Sequence, residues 1–223
     1  MKRARAAHEL HLQLGAMDGG EVADGVQLVP KHHFGVRSRR RARDSVAHAA
    51  QRAQDALRVG RAIEELDYYW YEDPLVEEDI YNYIKLHQKL DIPIMSTEYA
   101  PGRYYGMTQW ITEYATDVLR GDVAVTGGIT PMIRLCNLAE GFNMKCEIHH
   151  GGNSLNNVAN LHITMAVPNC EFFEFFPCTG ANMYGLVEDI QFDDGVVHAP
   201  TEPGLGYAID WERLRKGHTA TLE

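Results

Sequence analysis

The chain has 223 residues, 45% of them hydrophobic, and a net charge of −10, which is ample apolar content for a globular core of one large or two small domains. The charge is unevenly split: residues 1–58 carry 11 Lys/Arg against 6 Asp/Glu, and the remainder 10 against 25. An acidic body argues against a nucleic-acid enzyme, since phosphate binding needs positive surface, and no apolar run reaches membrane-spanning length, so a soluble, cytoplasmic protein is expected.

Residues 1–54 form an unassigned segment rich in Arg, Ala, His and Gly. Its one strand-like piece is Val26 to Pro30, and its basic run from Arg37 to Arg43 lacks aromatic interleaving, so a solvated, flexible segment is expected rather than a nucleic-acid arm. From Ala56 to Leu66 apolar residues recur at helical spacing, and the aromatic run Tyr68 to Tyr71 reads as a strand. Pro74 ends that strand, and Glu77, Glu78 and Asp79 are expected to open a helix carrying Ile80, Tyr83, Ile84 and Leu90. IPIMSTE reads as the next strand, MTQWITEYATD as a helix, and VLRGD as a short strand ending at Asp122. After the turn VAVTGG, Thr130 can cap and Pro131 can occupy the first turn of the helix TPMIRLCNLAEG. NMKCEIHH is a strand, NNVANLHITMAV a helix, and CEFFEFF the last strand. Alternating strands and helices, with strands too apolar to have a wet face, predict a parallel sheet closed or covered by helices. The cysteines Cys136, Cys146, Cys170 and Cys178 show no metal-knuckle spacing and read as reduced, packed thiols.

Glu72, Glu98, Asp122, His149 and Glu174 each stand at the end of an apolar run, at successive gaps of 26, 24, 27 and 25 residues. One reactive residue per strand-loop-helix unit is what a parallel β/α barrel needs at its active-site mouth, where the C-terminal strand ends converge. Taken singly, each has a bland alternative: a turn or cap residue for the acids, a loop position for His149 and His150. Glu174, between Phe173 and Phe175, is turned by strand alternation away from the side that buries them. The common spacing favours the joint functional reading.

These residues in their contexts resemble the enolase superfamily, in its mandelate racemase-like branch, over about residues 55–223. WYEDP and MSTE look like two strand-end segments of that family, which implies magnesium ligands at Glu72 and Glu98. GDVAVTGGIT resembles the segment whose Asp orients a catalytic histidine, which implies that role for Asp122, and FNMKCEIHHGG implies His149 as the base. FFEFF implies Glu174 as the acid that hydrogen-bonds a substrate carboxylate oxygen, and the tail from His198 to Leu214 is similar to the stretch that closes such barrels. The implied fold is α/β, a partial TIM-type barrel lacking the N-terminal capping domain and the first strands, with the barrel portion at residues 55–223. The implied chemistry is magnesium-dependent removal of a proton α to a carboxylate on a small hydroxy-carboxylate, most readily an acid sugar undergoing dehydration; homo-oligomerisation is compatible with it. Racemase or cycloisomerase chemistry, and a catalytically dead truncated fragment, are the alternatives. The change of character near Asp55 reads as a truncated or frame-shifted product, and the chain as written is expected to be inactive or nearly so.

Overall fold

The computed structural model describes residues 45–174 and 184–217, with side chains from residue 52 onward. The strand-like piece at Val26 to Pro30, the run from Arg37 to Arg43, Phe175, Phe176 and Cys178 lie outside the described residues. Helix α1 (Ser45–Glu65) starts ten residues before the expected boundary at Asp55, so part of the segment left unassigned is helical. It is followed by strand β1 (Tyr71–Glu72), α2 (Ile80–His87), β2 (Ile94–Ser96), α3 (Met107–Thr112), β3 (Val118–Gly121), the single turn α4 (Val123–Thr126), α5 (Ile129–Gly141), β4 (Lys145–Ile148) and α6 (Ser154–Ala166). A short hairpin, β5 (Phe192–Asp193) with β6 (Val196–Val197), and helix α7 (Trp211–Lys216) complete the described part.

The sheet order is β1-β2-β3-β4, every pair parallel. Strands adjacent in sequence are adjacent in space and all C-terminal ends share one edge, the arrangement of successive units in a β/α barrel wall. Alternation along the strands sorts the side chains. Ile94, Leu119, Cys146 and Ile148 join the helix residues Leu86, Trp110, Met132, Leu135, Cys136 and Ala139 in one buried cluster. The opposite parity, Met95, Arg120 and Glu147, falls outside that cluster and forms the other face. Tyr83 locks α2 onto the wall: it is fully buried, its hydroxyl donates to the Leu75 carbonyl at 2.7 Å, and its ring meets Trp110 edge-on at 4.8 Å.

Several local expectations are corrected. The described part of CEFFEFF, through Glu174, has no strand ladder; the amides of Glu171 and Phe172 are taken by the Glu147 carboxylate at 3.1 and 3.2 Å instead of a neighbouring strand. Helix α5 begins one residue before Thr130, with Gly128 as its N-cap and no side-chain capping bond. Of the acidic trio before α2, Asp79 is the N-cap and accepts from the Asn82 amide, whereas Glu77 is buried and accepts from the Ser96 hydroxyl and the Thr97 and Tyr99 amides. Burial raises the Glu77 carboxyl above the usual range despite those bonds. Cys136 and Cys146 are buried free thiols, and Cys170 is half-buried. Among the described residues no helix is long and apolar enough to cross a membrane.

Candidate active site at the C-terminal strand edge

Four of the five residues singled out in the sequence follow or end a strand at the same edge of the sheet; Glu174 reaches it from a segment without a ladder. Glu72 closes β1, Glu98 follows β2 by two residues, Asp122 follows β3 directly and His149 follows β4 directly. Glu98, Asp122, His149 and Glu174 are buried, and Glu72 is half-buried.

Asp122 and His149 form a dyad. The His149 Nδ1 lies 3.0 Å from one Asp122 oxygen and 3.1 Å from a Glu98 oxygen. The dyad is possible because β3 and β4 are paired in register and both residues come one step past the paired segment, on the same side. Asp122 is in turn fixed from three directions. It caps α4 by accepting from the Ala124 amide at 2.7 Å, and it accepts from the Asn156 amide group at 2.9 and 3.0 Å and from the Asn160 amide group at 3.1 Å. Asn156 and Asn160 stand four residues apart on α6, one turn above the other, so one helix face supplies both donors. Burial alone would raise the Asp122 carboxyl, but the bonds from His149, Asn156 and the Ala124 amide outweigh it and hold the group below the usual carboxylate range. His150 turns to the other side: it is fully buried, with its ring 4.1 Å from Phe173 and its Nε2 3.5 Å from the Thr164 hydroxyl.

The remaining acids converge on a residue that the sequence analysis left aside. Arg120, two positions before Asp122 on β3, is 2% exposed and points its guanidinium into the carboxylates. One terminal nitrogen is 2.6 Å from Glu174 and 3.1 Å from Glu72, and Nε is 3.7 Å from Glu98. Burial works against its charge, but the surrounding Glu72, Glu174 and Glu98 raise its pKa beyond the ordinary arginine value. One Glu174 oxygen accepts from Arg120 and from the His150 amide at 3.0 Å.

Strict alternation would not bring Glu98 to this face, because Glu98 is three positions, an odd offset, from Met95, whose sulfur is 3.8 Å from an Arg120 nitrogen. The backbone resolves this at Thr97, which adopts φ +102°, a left-handed value that a β-branched residue rarely takes. Its hydroxyl donates to the Arg120 carbonyl and accepts from the Arg120 amide, both at 2.9 Å, which holds the kink against β3.

Glu72 and Glu98 are hard oxygen donors of the kind magnesium takes. The place on which they converge, however, is filled by the Arg120 guanidinium, and among the described residues no group of three or more His, Cys, Asp or Glu side chains is arranged to hold a metal ion. As arranged, the residues do not fit a divalent ion. A cavity of about 580 Å³ lies at the opposite, N-terminal ends of the strands, lined by Tyr68, Trp70, Pro93, Asp117 and Lys145; its lining does not include the dyad or the residues around Arg120.

A family model described as enolase C-terminal domain-like matches residues 7–213, starting inside the segment that the sequence left unassigned. Arabinonate dehydratase of Saccharolobus solfataricus is 27% identical over 156 residues, which is 70% of this chain and 42% of that protein. A D-galactonate dehydratase family member of Streptomyces bingchenggensis is 30% identical over 174 residues, 74% of this chain and 40% of that protein. The chain thus spans about two fifths of the length of the curated relatives it matches. Among solved structures, D-glucarate dehydratase from Agrobacterium tumefaciens complexed with magnesium is similar at a TM-score of 0.66 and 36% identity, covering 74% of this chain and 43% of that one. A Pseudovibrio protein described as of the mandelate racemase/muconate lactonizing enzyme type reaches 0.71 at 29% identity, covering 75% and 45%.

Proposed function

For a chain that belongs to the enolase C-terminal domain-like family, in its mandelate racemase and muconate lactonizing enzyme branch, we propose that it carries the proton-transfer half of an acid-sugar dehydratase. His149, oriented by Asp122, removes the proton α to the carboxylate of a small hydroxy-carboxylate. The observation that carries this reading is the 3.0 Å contact between Asp122 and the His149 Nδ1, with Asp122 itself held by Asn156, Asn160 and the Ala124 amide.

The chemistry follows from that contact. When Nδ1–H donates to Asp122, the lone pair stands on Nε2, and the imidazole is held in the tautomer a base needs. Nε2 takes the proton from C2, and the C2–H electron pair passes into the carboxylate as an enediolate. The same imidazolium then gives its proton to the 3-hydroxyl as the C3–O bond breaks, so water leaves and an enol remains that tautomerises to the 2-keto acid. Asp122 stabilises the imidazolium between the two transfers. Relatives named for arabinonate, galactonate and glucarate dehydration support acid sugars as the substrate class. The resemblance assigned magnesium to Glu72 and Glu98 and substrate contact to Glu174, and the magnesium complex of the glucarate dehydratase relative supports a metal in that family. No step is assigned to magnesium in this chain, because Arg120 fills the place between those carboxylates.

The same placement of Arg120 favours a second reading, a chain without turnover. The test that separates the two is incubation of the purified chain with a panel of acid sugars and magnesium in deuterated water, following C2 proton loss by NMR and 2-keto acid formation by trapping. C2 exchange with any of the sugars supports the proposal; neither exchange nor product across the panel supports the inactive reading.

A further inference from the structure

The dyad accounts for Asp122 and His149 but leaves the buried group beside it unexplained: a guanidinium enclosed by three carboxylates on three different elements. We propose that Arg120 is the resident cation of this carboxylate cage, standing where a divalent ion would otherwise sit and excluding it.

Glu72, Glu98 and Glu174 come from the end of β1, the loop after β2 and the segment before residue 175, and all three reach the one guanidinium, at 3.1, 3.7 and 2.6 Å. Buried like charges repel, so a set of this kind is stable only around a cation. Arg120 cannot easily leave the cage. Both its backbone amide and its carbonyl are tied to the Thr97 hydroxyl, its side chain is 3% exposed, and another nitrogen lies against the Met95 sulfur. A guanidinium is planar, permanently charged and forked, so it satisfies carboxylates on several sides at once, which a flexible ammonium would do less well. Magnesium, in contrast, demands near-octahedral oxygens and gives up its waters reluctantly, and it would have to displace a charge held by three partners.

The inference does not rest on His149 being a base, and its test is separate. Mn²⁺ serves as the probe, because free and bound Mn²⁺ are distinguished by electron paramagnetic resonance without any need for activity. The native chain is expected to show no saturable Mn²⁺ site at submillimolar concentration and no rise in melting temperature with millimolar Mn²⁺. Arg120→Met, which leaves the cage without its cation, is expected to melt lower than the native chain, to recover on adding Mn²⁺, and to bind Mn²⁺ about tenfold more tightly or better. Arg120→Lys, which keeps the charge, should stay insensitive to the metal. A saturable submillimolar site in the native chain that is lost in Glu98→Gln overturns the proposal, as does an Arg120→Met variant that folds yet gains no affinity. Should Arg120→Met fail to fold with or without Mn²⁺, the titration of the native chain decides alone.

Discussion

Replacing Asp122 with Ala tests how the dyad is held in place, and its cost can be worked from the contacts. Asp122 is the N-cap of α4 through the Ala124 amide, and loss of a capping side chain costs about 1 kcal/mol. Asn156 donates to both Asp122 oxygens and would lose that acceptor; Asn160 would keep its bond to the His149 carbonyl, and His149 would keep the Glu98 oxygen at 3.1 Å. Leaving one partly buried donor unsatisfied adds about 1–3 kcal/mol, so a total near 3 kcal/mol is expected, or roughly 6–12 °C in melting temperature for a chain of this length. Urea unfolding followed by circular dichroism measures it. The pH dependence has a definite sign. The folded-state carboxyl of Asp122 lies below its ordinary value, so its stabilisation is complete above the unfolded carboxylate value of about pH 4 and is lost as pH falls through the lower folded value. The gap between native and Asp122→Ala should therefore be widest at neutral pH and narrow on acidification. A gap of less than about 1 kcal/mol at neutral pH, or one that grows as the solution is acidified, would refute the reasoning.

Other outcomes follow from the same contacts. Gly121→Ala would place a methyl 2.7 Å from the Met132 sulfur and 2.9 Å from the Thr126 hydroxyl, so it should destabilise by about 1–3 kcal/mol in thermal melts. Tyr83→Phe removes the buried bond to the Leu75 carbonyl and should cost about 1–2 kcal/mol in urea titrations, without altering the Mn²⁺ behaviour of the Arg120 cage. At Thr97, Ala loses the two bonds to Arg120 and keeps the strained φ, whereas Gly loses the bonds and relieves the strain; Thr97→Gly should be the more stable of the two by several tenths of a kcal/mol to about 1 kcal/mol.

The sequence made some of this architecture legible and hid the rest, for identifiable reasons. The Asp122–His149 contact could be read because both residues directly follow strands that pair in parallel; the family resemblance pointed to His149, and alternation required only that His149 and His150 face opposite sides. Alternation failed at Glu98, since a positive φ at Thr97 changes the parity and no glycine marks the kink. Arg120 did carry a signal, as it lies two residues before Asp122 on one strand and so on the same side, but an arginine inside a short apolar run looks like a strand-edge residue until its carboxylate partners are known. Asn156 and Asn160, at helical i, i+4 spacing, had no visible target until Asp122 was placed in space. The stretch from Cys170 to Glu174 reads as a strand because alternating aromatics mimic a laddered one, while the amides of Glu171 and Phe172 have a competing acceptor in Glu147.

The measurement closest to the central claim is C2 proton exchange of an acid sugar in deuterated water, compared across the native chain, His149→Asn and His150→Asn. If His149 is the base, the native chain and His150→Asn exchange the C2 proton above the buffer rate, and His149→Asn falls to that rate while binding Mn²⁺ no differently from the native chain. Exchange retained in His149→Asn, or lost in His150→Asn alone, would contradict the assignment.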